Sequence, residues 1–421
     1  MAMKQKSGKP KGADMKVRRF KAAIIGGGAA GMMAALSASR ILPGEEILLL
    51  EKNSRLGRKV SATGNGRCNF SNRSCSWQDY GGQDLSLVRH AFDHLSPAET
   101  TTLFEELGIL AREESDGRLY PYSEQASAVA EALEDELKSN GVTIRLDTGD
   151  RFLIGFHGES VRADTLIIAT GGKAGHRYGS TGDGYGFAKH FGHTLQRPLP
   201  ALVQIVTEDS FSGRLEGVRA KGAVSLIKGR DLVAREEGEI QFTKDGMSGI
   251  CIFDLSRYLG EDPTGFHIRI DLFPEYSEVQ IQELLEARKK KLEQRQAESL
   301  LKGMLHNKFI PVYLELSGVP IDSTVCQINE EQLIRLTKLL KCREVSVKGT
   351  KGWVEAQTTV GGVRGGEIQG ETLESKLVSG LFFAGEVLDI DGKCGGWNLQ
   401  WAWSSGWTAG QHAARKTVGK G

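Results

Sequence analysis

The feature that most constrains this chain is a glycine pattern between two apolar segments near its start. An apolar segment, residues 22–25, precedes Gly26, Gly28 and Gly31, and a run of small residues follows. A second apolar segment ends at Glu51, twenty positions after Gly31. Strand, turn, helix, strand and terminal carboxylate in this order predict the first unit of a Rossmann fold that binds a dinucleotide.

Each part of this pattern has a mechanical role. Gly26 permits a tight turn, Gly28 lets the backbone approach a pyrophosphate, and Gly31 lets the helix pack on the strand. The helix N-terminus offers unpaired N–H groups and a positive dipole end to phosphates. A carboxylate at the end of the second strand accepts hydrogen bonds from ribose hydroxyls. The predicted cofactor contacts here are Gly26, Gly28, Ala29, Ala30, Gly31 and Glu51.

The other end of the chain indicates which dinucleotide binds. Residues 380–386 form a short apolar segment that closes on Gly385 and Glu386, and Asp389 follows. Gly396 then precedes a helical run. An NAD dehydrogenase does not need this second element, whereas an FAD enzyme needs it because the flavin ring must be held far from the adenine. FAD is therefore the predicted cofactor.

The helical run and a central segment complete the predicted flavin site. A helix N-terminus aimed at the flavin stabilises the negative charge of reduced flavin. Residues 164–172 supply the strand and Ala-Thr-Gly turn typical of FAD-binding Rossmann domains. The further predicted contacts are Thr170, Gly171, Gly385, Glu386, Asp389, Gly396, Trp397 and Asn398.

Charge and cysteine content restrict the function classes. The 54 Lys and Arg residues nearly balance the 53 Asp and Glu residues, which argues against a dedicated nucleic-acid binder. No apolar run reaches the length of a membrane span. The six cysteines form no C-x-x-C pair and show no metal-ligand spacing. We expect a cytoplasmic protein with reduced thiols, no metal and a small-molecule substrate, and the oligomeric state is left open.

The length of 421 residues favours more than one domain. Alternating strand-like segments after residue 194, with return strands at 345–347 and 353–359, indicate an antiparallel β domain inserted into the Rossmann-like domain. The predicted fold is α/β: a discontinuous FAD-binding domain, with an inserted barrel-like β domain that carries a small helical subdomain. The predicted units are a disordered basic tail (1–20), FAD domain (21–193), β domain (194–274), helical subdomain (275–341), β domain (342–357) and FAD domain (358–421).

A glycine-rich loop follows the ribose-binding strand. Arg58 and Lys59 bring cations near the pyrophosphate. The run Gly64-Asn65-Gly66-Arg67-Cys68-Asn69 suits backbone N–H groups that approach an anion or a flat ring. Cys68 fits a small buried side chain as well as a redox partner of flavin. The predicted contacts in this loop are Arg58, Lys59, Asn65, Gly66, Arg67, Cys68 and Asn69.

Several motifs together resemble one family. They are Gly-Asn-Gly-Arg-Cys-Asn at 64–69, Gly-Asp-Gly-Tyr-Gly with Gly-His-Thr within 182–194, Gly-Met-Ser-Gly at 246–249, Thr-Thr-Val-Gly-Gly-Val at 358–363, Thr-Leu-Glu-Ser-Lys at 372–376, and Ala-Gly-Glu-Val-Leu-Asp with Gly-Gly-Trp-Asn-Leu-Gln within 384–400. The chain is similar over residues 20–412 to the YhiN/BaiN-like FAD-dependent oxidoreductases, also known as aminoacetone-oxidase-family flavoproteins. The resemblance implies a fold of the glutathione-reductase and fumarate-reductase superfamily. It also implies flavin contacts at Lys52 and Leu399. A departure from the family pattern at Val360 puts substrate choice in question.

Flavin carries the redox chemistry, so the protein must position a substrate and move one proton. His193 is the predicted general acid or base, with a backbone-bonded boundary histidine as the alternative reading. The leading hypothesis is hydride transfer between a small or medium organic substrate and flavin N5, in a cleft between the two domains. NAD(P)H would visit transiently, because only one dinucleotide-binding motif is present.

Two alternatives remain at this point. An RNA-modifying flavoprotein would use the basic N-terminal arm and residues 288–295 as phosphate contacts, although acidic residues interleave with that run. A protein that holds FAD as a structural element or sensor, without turnover, would show the same motifs.

Overall fold

A computed structural model describes residues 18–148, 161–208 and 210–419. Most of the predicted basic tail, residues 1–17, lies outside the described residues. The first strand begins at Arg18, so the last three residues assigned to the tail belong to the sheet instead. Phe20 is buried there, which explains why the strand extends beyond its most apolar part.

The helices alternate with strands in the first half of the chain, and three longer helices follow one another after residue 278. In chain order they are α1 Ala29–Ser39, α2 Ser86–His94, α3 Pro97–Glu106, α4 Ala126–Ser139, α5 Asp183–His190, α6 Phe211–Arg214, α7 Ile250–Ser256, α8 Glu278–Lys291, α9 Phe309–Ser317, α10 Glu330–Cys342 and α11 Trp397–Val418.

Within residues 18–148, 161–208 and 210–419, the strands form one parallel sheet, one barrel and three small antiparallel sheets. In chain order they are β1 Arg18–Ile25, β2 Ile47–Leu50, β3 Ser71–Asn72, β4 Gly81–Gly82, β5 Ala111–Glu113, β6 Arg118–Pro121, β7 Thr143–Arg145, β8 Val161–Ile168, β9 Leu195–Ala201, β10 Ile205–Thr207, β11 Arg219–Lys228, β12 Asp231–Thr243, β13 Gly246–Ser248, β14 Phe266–Asp271, β15 Arg343–Thr350, β16 Thr358–Val363, β17 Leu381–Phe383 and β18 Ile390–Asp391.

The parallel sheet has the order β17-β8-β1-β2-β7. In the central register, Ile25 of β1 lies beside Leu50 of β2 and beside Ile168 of β8. Phe383 of β17 lies beside Ile168 on the other side. Parallel sheets are covered on both faces, and the carboxyl halves of β1 and β8 are accordingly apolar and mostly buried. This register brings the carboxyl ends of four strands to one edge.

The inserted part of the chain closes into an antiparallel barrel of order β10-β13-β12-β11-β14-β15. Its interior is filled by alternating apolar side chains such as Val224, Leu226 and Ile268. Helices α8, α9 and α10 lie between β14 and β15 in sequence and pack into the same core. The predicted α/β fold with an inserted antiparallel barrel is therefore confirmed.

One sequence expectation in this region is wrong. Residues 353–355 form a turn, and the next strand, β16, begins at Thr358. This strand pairs with β9 outside the barrel. The alternation of side chains around Trp353 resembles a strand, but Gly352 adopts a left-handed conformation at φ +69° and ends the extended backbone there.

Helices α1 and α11 pack unusually closely. A Cβ atom on Gly406 of α11 would lie 2.3 Å from the Ala30 carbonyl oxygen, and one on Gly410 would lie 2.2 Å from that of Ala34. The Ser37 hydroxyl donates a 2.9 Å hydrogen bond to the Trp407 carbonyl across this contact. The backbone of α1 therefore lies directly against the backbone of α11.

We predict that Gly410→Ala destabilises the protein by about 1–3 kcal/mol, because the added methyl group meets the α1 backbone. Gly186→Ala is the matched control, since Gly186 lies in helix α5 with no atom within 4 Å of the added Cβ. That control should be neutral or stabilising by up to about 1 kcal/mol. Urea denaturation of both variants measures the difference. Equal stability of the two variants would contradict the close contact.

Candidate functional site

The glycine turn after β1 faces open space at the carboxyl edge of the sheet. Gly26 has φ +107°, and a Cβ there would lie 2.4 Å from the Ala169 carbonyl oxygen. A Cβ on Gly31 would lie 1.7 Å from the Gly26 carbonyl oxygen. A Cβ on Gly28 would meet nothing within 4 Å. Gly26 and Gly31 are thus required by packing, and Gly28 borders the space into which the N-terminus of α1 points.

Glu51 ends β2 beside this turn and is buried. Its Oε2 accepts a 2.7 Å hydrogen bond from the Gly27 N–H, and its Oε1 accepts a 2.8 Å bond from the Asn53 N–H. The carboxylate is therefore held at the opening of α1, between the turn and the next loop.

The predicted basic contacts are engaged with protein partners. Lys52 pairs with Asp183 and donates to Thr181 at 2.6 Å. The Arg58 guanidinium donates to Asn53 Oδ1 at 2.7 Å. Lys59 pairs with Glu386 at 2.7 Å, which links the first loop to the C-terminal segment. These cations join the three separated segments to one another.

The loop of residues 64–69 has the backbone that its glycines predict. Gly64, Asn65 and Gly66 have φ values of +56°, +56° and +85°, and Cys68 has +59°. Among the residues that the structure describes, none lies within 4 Å of a Cβ added to Gly66, and none hydrogen-bonds to Oδ1 of the buried Asn69 side chain. The loop thus presents open backbone at one end and an unpartnered acceptor at the other.

Arg67 and Cys68 are both engaged within the protein, so neither side chain is a free cation or a reactive thiol. Arg67 pairs with Glu114 and Glu124 and lies over the Tyr120 ring at 4.4 Å. Burial raises the pKa of the Cys68 thiol to about 12. A protonated, fully buried thiol matches the small-side-chain reading, not that of a redox-active cysteine.

The C-terminal loop of residues 392–396 is fixed from several directions. The Asn398 side chain accepts from the Gly392 N–H at 2.9 Å and donates to the Gly392 carbonyl at 2.9 Å. The Tyr80 hydroxyl donates to the Trp397 carbonyl at 2.8 Å. A Cβ on Gly396 would lie 2.4 Å from the Ser71 carbonyl oxygen, so glycine is required there by packing. Trp397 Nε1 is buried and has no hydrogen-bond partner among the described residues.

The remaining predicted contacts lie between these loops. Gly171 has φ +74°, and no residue in the described part of the chain hydrogen-bonds to the buried Thr170 hydroxyl. The Gly385 N–H donates to Ser405 Oγ at 2.9 Å, and Leu399 packs on the core. Asp389 accepts a 3.4 Å bond from the Gln83 N–H, and burial raises its pKa. All three predicted segments therefore meet at the carboxyl edge of the sheet.

His193 is placed differently from the prediction. Its side chain is fully buried, with Nδ1 at 2.9 Å from Glu367 Oε2 and Nε2 at 2.8 Å from Ser375 Oγ. Its ring also packs on Phe383 at 4.9 Å. Both ring nitrogens contact side chains, not the backbone carbonyl that the alternative reading supposed, and neither is left available to exchange a proton with a substrate.

A buried polar cluster joins the barrel to the C-terminal loop, and the sequence reasoning missed it. Arg257, just after α7, donates from Nε to Asp391 Oδ2 at 2.6 Å and from Nη2 to the Asp391 carbonyl at 3.1 Å. Asp254 of α7 accepts a 2.7 Å bond from the Cys394 N–H. Helix α7 is seven residues long, too short for a reliable helical period, which is why these two positions gave no sequence signal.

Comparison with known families agrees with this architecture. The model of the HI0933-like protein Rossmann domain matches residues 20–412. The chain belongs to this family. The family resemblance drawn from the motifs is thereby confirmed.

Three proteins similar to this chain carry names that state an enzymatic activity. A 3-dehydro-bile acid delta(4,6)-reductase of Clostridium scindens is 36% identical over 406 residues, covering 93% of this chain and 98% of the relative. A ribosomal RNA dihydrouridine synthase of Haemophilus influenzae is 29% identical over 407 residues, covering 93% of this chain and 98% of the relative. A protein of the same name from Escherichia coli is 29% identical over 405 residues, covering 94% and 98%. This family member is an enzyme, a flavin-dependent oxidoreductase.

Solved structures show the same fold at low sequence identity. A 3-ketosteroid delta1-dehydrogenase from Sterolibacterium denitrificans has a TM-score of 0.51 at 12% identity, covering 95% of this chain and 100% of that one. Within residues 18–148, 161–208 and 210–419, no helix combines the length and apolar character needed to cross a bilayer.

We predict that Arg257→Met destabilises this family member by about 3–5 kcal/mol, because it leaves the Asp391 carboxylate buried without its partner. The double variant Arg257→Met/Asp391→Leu should recover most of that loss. Arg269→Met is the matched control, since its pair with Glu344 is 43% and 48% exposed and should cost less than about 1 kcal/mol. Urea denaturation measures all three. Equal losses for Arg257→Met and Arg269→Met would contradict the role of the buried pair.

Proposed function

We propose that this protein is an FAD-dependent reductase of carbon–carbon double bonds conjugated to a carbonyl group in small or medium organic molecules. The supporting observation is the convergence of three distant segments on one sheet edge in a chain whose relatives are named for related chemistry. The C. scindens relative is named for a 3-dehydro bile acid with 4,6 double bonds. The other two are named for dihydrouridine, the product of saturating a ring double bond beside a carbonyl.

The residues at the sheet edge fit FAD. We propose that the Gly26–Gly31 turn and the first N–H groups of α1 bind the pyrophosphate, with Glu51 at the adenosine ribose. The loop of residues 65–69 and the N-terminus of α11 would hold the flavin ring. The unpartnered buried atoms Asn69 Oδ1, Thr170 Oγ1 and Trp397 Nε1 support this assignment, because buried polar groups normally have partners.

The charged residues have a different part in this proposal. Lys52, Arg58, Lys59 and Arg67 already have protein partners. We propose that they set the shape and charge of the cofactor site instead of contributing free cations. Bound flavin supplies the hydride chemistry, while the chain orients the substrate, excludes water and supplies a proton. NAD(P)H is the proposed reductant, and the single dinucleotide-binding motif favours a transient visit.

We predict that the purified protein releases FAD, not FMN, on denaturation, and that Gly28→Val abolishes FAD binding. The valine side chain would occupy the open space in front of α1, where the pyrophosphate is proposed to lie. Gly366→Val is the control, because Gly366 is exposed with no atom within 4 Å of an added Cβ. Mass spectrometry identifies the released flavin, and absorbance gives its occupancy. Full occupancy in Gly28→Val would contradict the phosphate-turn assignment.

A second candidate substrate is RNA, favoured by the two relatives named as ribosomal RNA dihydrouridine synthases. A surface concavity of about 220 Å³ in the helical subdomain is lined by Arg288, Lys291, Arg295 and Lys302. The Arg288 guanidinium donates hydrogen bonds to the carbonyls of Leu300 and Ser299, and Lys302 forms an ion pair with Glu298. Cations also accumulate at helix C-termini for structural reasons, which makes this candidate the weaker one.

Anaerobic stopped-flow experiments and RNA binding separate the two candidates. We expect NADH or NADPH to reduce the bound flavin, and a 3-dehydro-4,6-diene bile acid probe to reoxidise it. We also expect Lys291→Glu/Arg295→Glu to leave both half-reactions unchanged. Under the RNA candidate, a ribosomal RNA fragment would bind with steep salt dependence, and that double variant would weaken binding and flatten the salt slope by about two phosphate contacts.

A further inference from the structure

Helix α7 carries a buried carboxyl group that lacks an ion pair. Asp254 is 5% exposed, and its Oδ1 accepts the Cys394 N–H at 2.7 Å. Its Oδ2 has no hydrogen bond to any described residue. Arg257, three residues further on, gives its Nε and Nη2 donors to Asp391 instead. A buried carboxyl without a cationic partner favours its neutral, protonated form.

The two Asp254 oxygens differ in their hydrogen bonding. Oδ1 is fixed by the Cys394 N–H, whereas Oδ2 has no hydrogen-bond partner among the described residues. A carboxyl group held by one oxygen and unpartnered at the other keeps the second oxygen available to give up a proton.

Charged groups on three elements surround this carboxyl. Burial raises the pKa of Asp254 to about 6, and repulsion from Glu236 of β12 acts in the same direction. Arg257 and Lys393 lower the pKa, as does the hydrogen bond from the Cys394 N–H. The group thus exchanges its proton near neutral pH, the range in which a general acid is most effective.

Asp254 contacts the loop that forms part of the proposed flavin site. The backbone that it holds, at Cys394, lies in the loop that leads directly into the N-terminus of α11. That terminus belongs to the FAD domain, whereas α7 packs on β12 and the barrel. Asp254 therefore reaches the flavin loop from the opposite domain.

We propose that Asp254 is the proton donor of the reaction and touches the substrate from the barrel side of the interdomain cleft. This inference rests on the proposed function. The reduced flavin that the site would hold would supply a hydride, and with it both electrons, to one carbon of the conjugated double bond. The other carbon gains the Asp254 proton as the π bond is lost. The resulting carboxylate takes its next proton from solvent, so atoms and charge balance.

The first test does not depend on turnover. The absorbance spectrum of bound oxidised flavin should change with an apparent pKa of about 6 between about pH 5 and about pH 8, because a charge appears beside the ring. Asp254→Asn keeps an oxygen for the Cys394 N–H and should abolish this transition while retaining FAD. Glu236→Gln removes the like charge and should move the transition to lower pH.

The second test uses pre-reduced protein and the 3-dehydro-4,6-diene bile acid probe. Asp254→Asn should slow probe reduction by about 10²–10⁴-fold, the usual contribution of a general acid, and leave flavin reduction by dithionite unchanged. In the wild-type protein the probe rate should fall as pH rises through about 6, since the protonated carboxyl is the active form. In Glu236→Gln this fall should begin at lower pH.

Two results would overturn the inference. One is a flavin titration that persists in Asp254→Asn, which would place the titrating group elsewhere. The other is an Asp254→Asn variant that reduces the probe at the wild-type rate. A wild-type protein that accepts electrons but leaves the probe unreduced would instead contradict the proposed function, and the flavin titration would still decide the position of Asp254.

Discussion

The backbone contact between α1 and α11 is the constraint on which the rest of the molecule depends. Gly406 and Gly410 let α11 approach until only glycine fits against the carbonyls of Ala30 and Ala34. This contact places the N-terminus of α11 near the glycine turn that precedes α1, although more than 350 residues separate them. The barrel and the helical subdomain lie between these two helices in sequence. The core of the Rossmann-like domain is therefore formed by segments on both sides of this insertion.

The junction between barrel and Rossmann-like domain is made by polar groups, which has consequences for specificity. The Arg257–Asp391 pair is almost completely buried, and such pairs gain little net stability because both charges lose their hydration. They do penalise misalignment heavily, since a small shift leaves a charge unpaired. The pair and the Asp254–Cys394 hydrogen bond therefore fix the position of α7 on the loop of residues 392–396, and they add little to the stability of the contact.

Local signals were readable from the sequence, and contacts between distant segments were not. The β1–α1–β2 unit is encoded within about thirty residues, so the turn at Gly26 and the carboxylate of Glu51 follow from spacing alone. The partners of Arg67 depend on how β5 and β6 fold back, and no spacing reveals them. Helices α2 and α3 were not anticipated, although Ser96 and Glu99 form a capping box that marks the start of α3.

The contrast between His193 and Asp254 explains why residue type misled the search for a proton donor. Histidine titrates near neutral pH in water, so sequence reasoning selects it. Both His193 nitrogens are engaged with Glu367 and Ser375, so neither is available to a substrate. Burial raises the pKa of Asp254 to about 6. For a buried side chain, the ordinary pKa is thus a poor guide to its role, and what decides the role is which of its polar atoms remains without a partner.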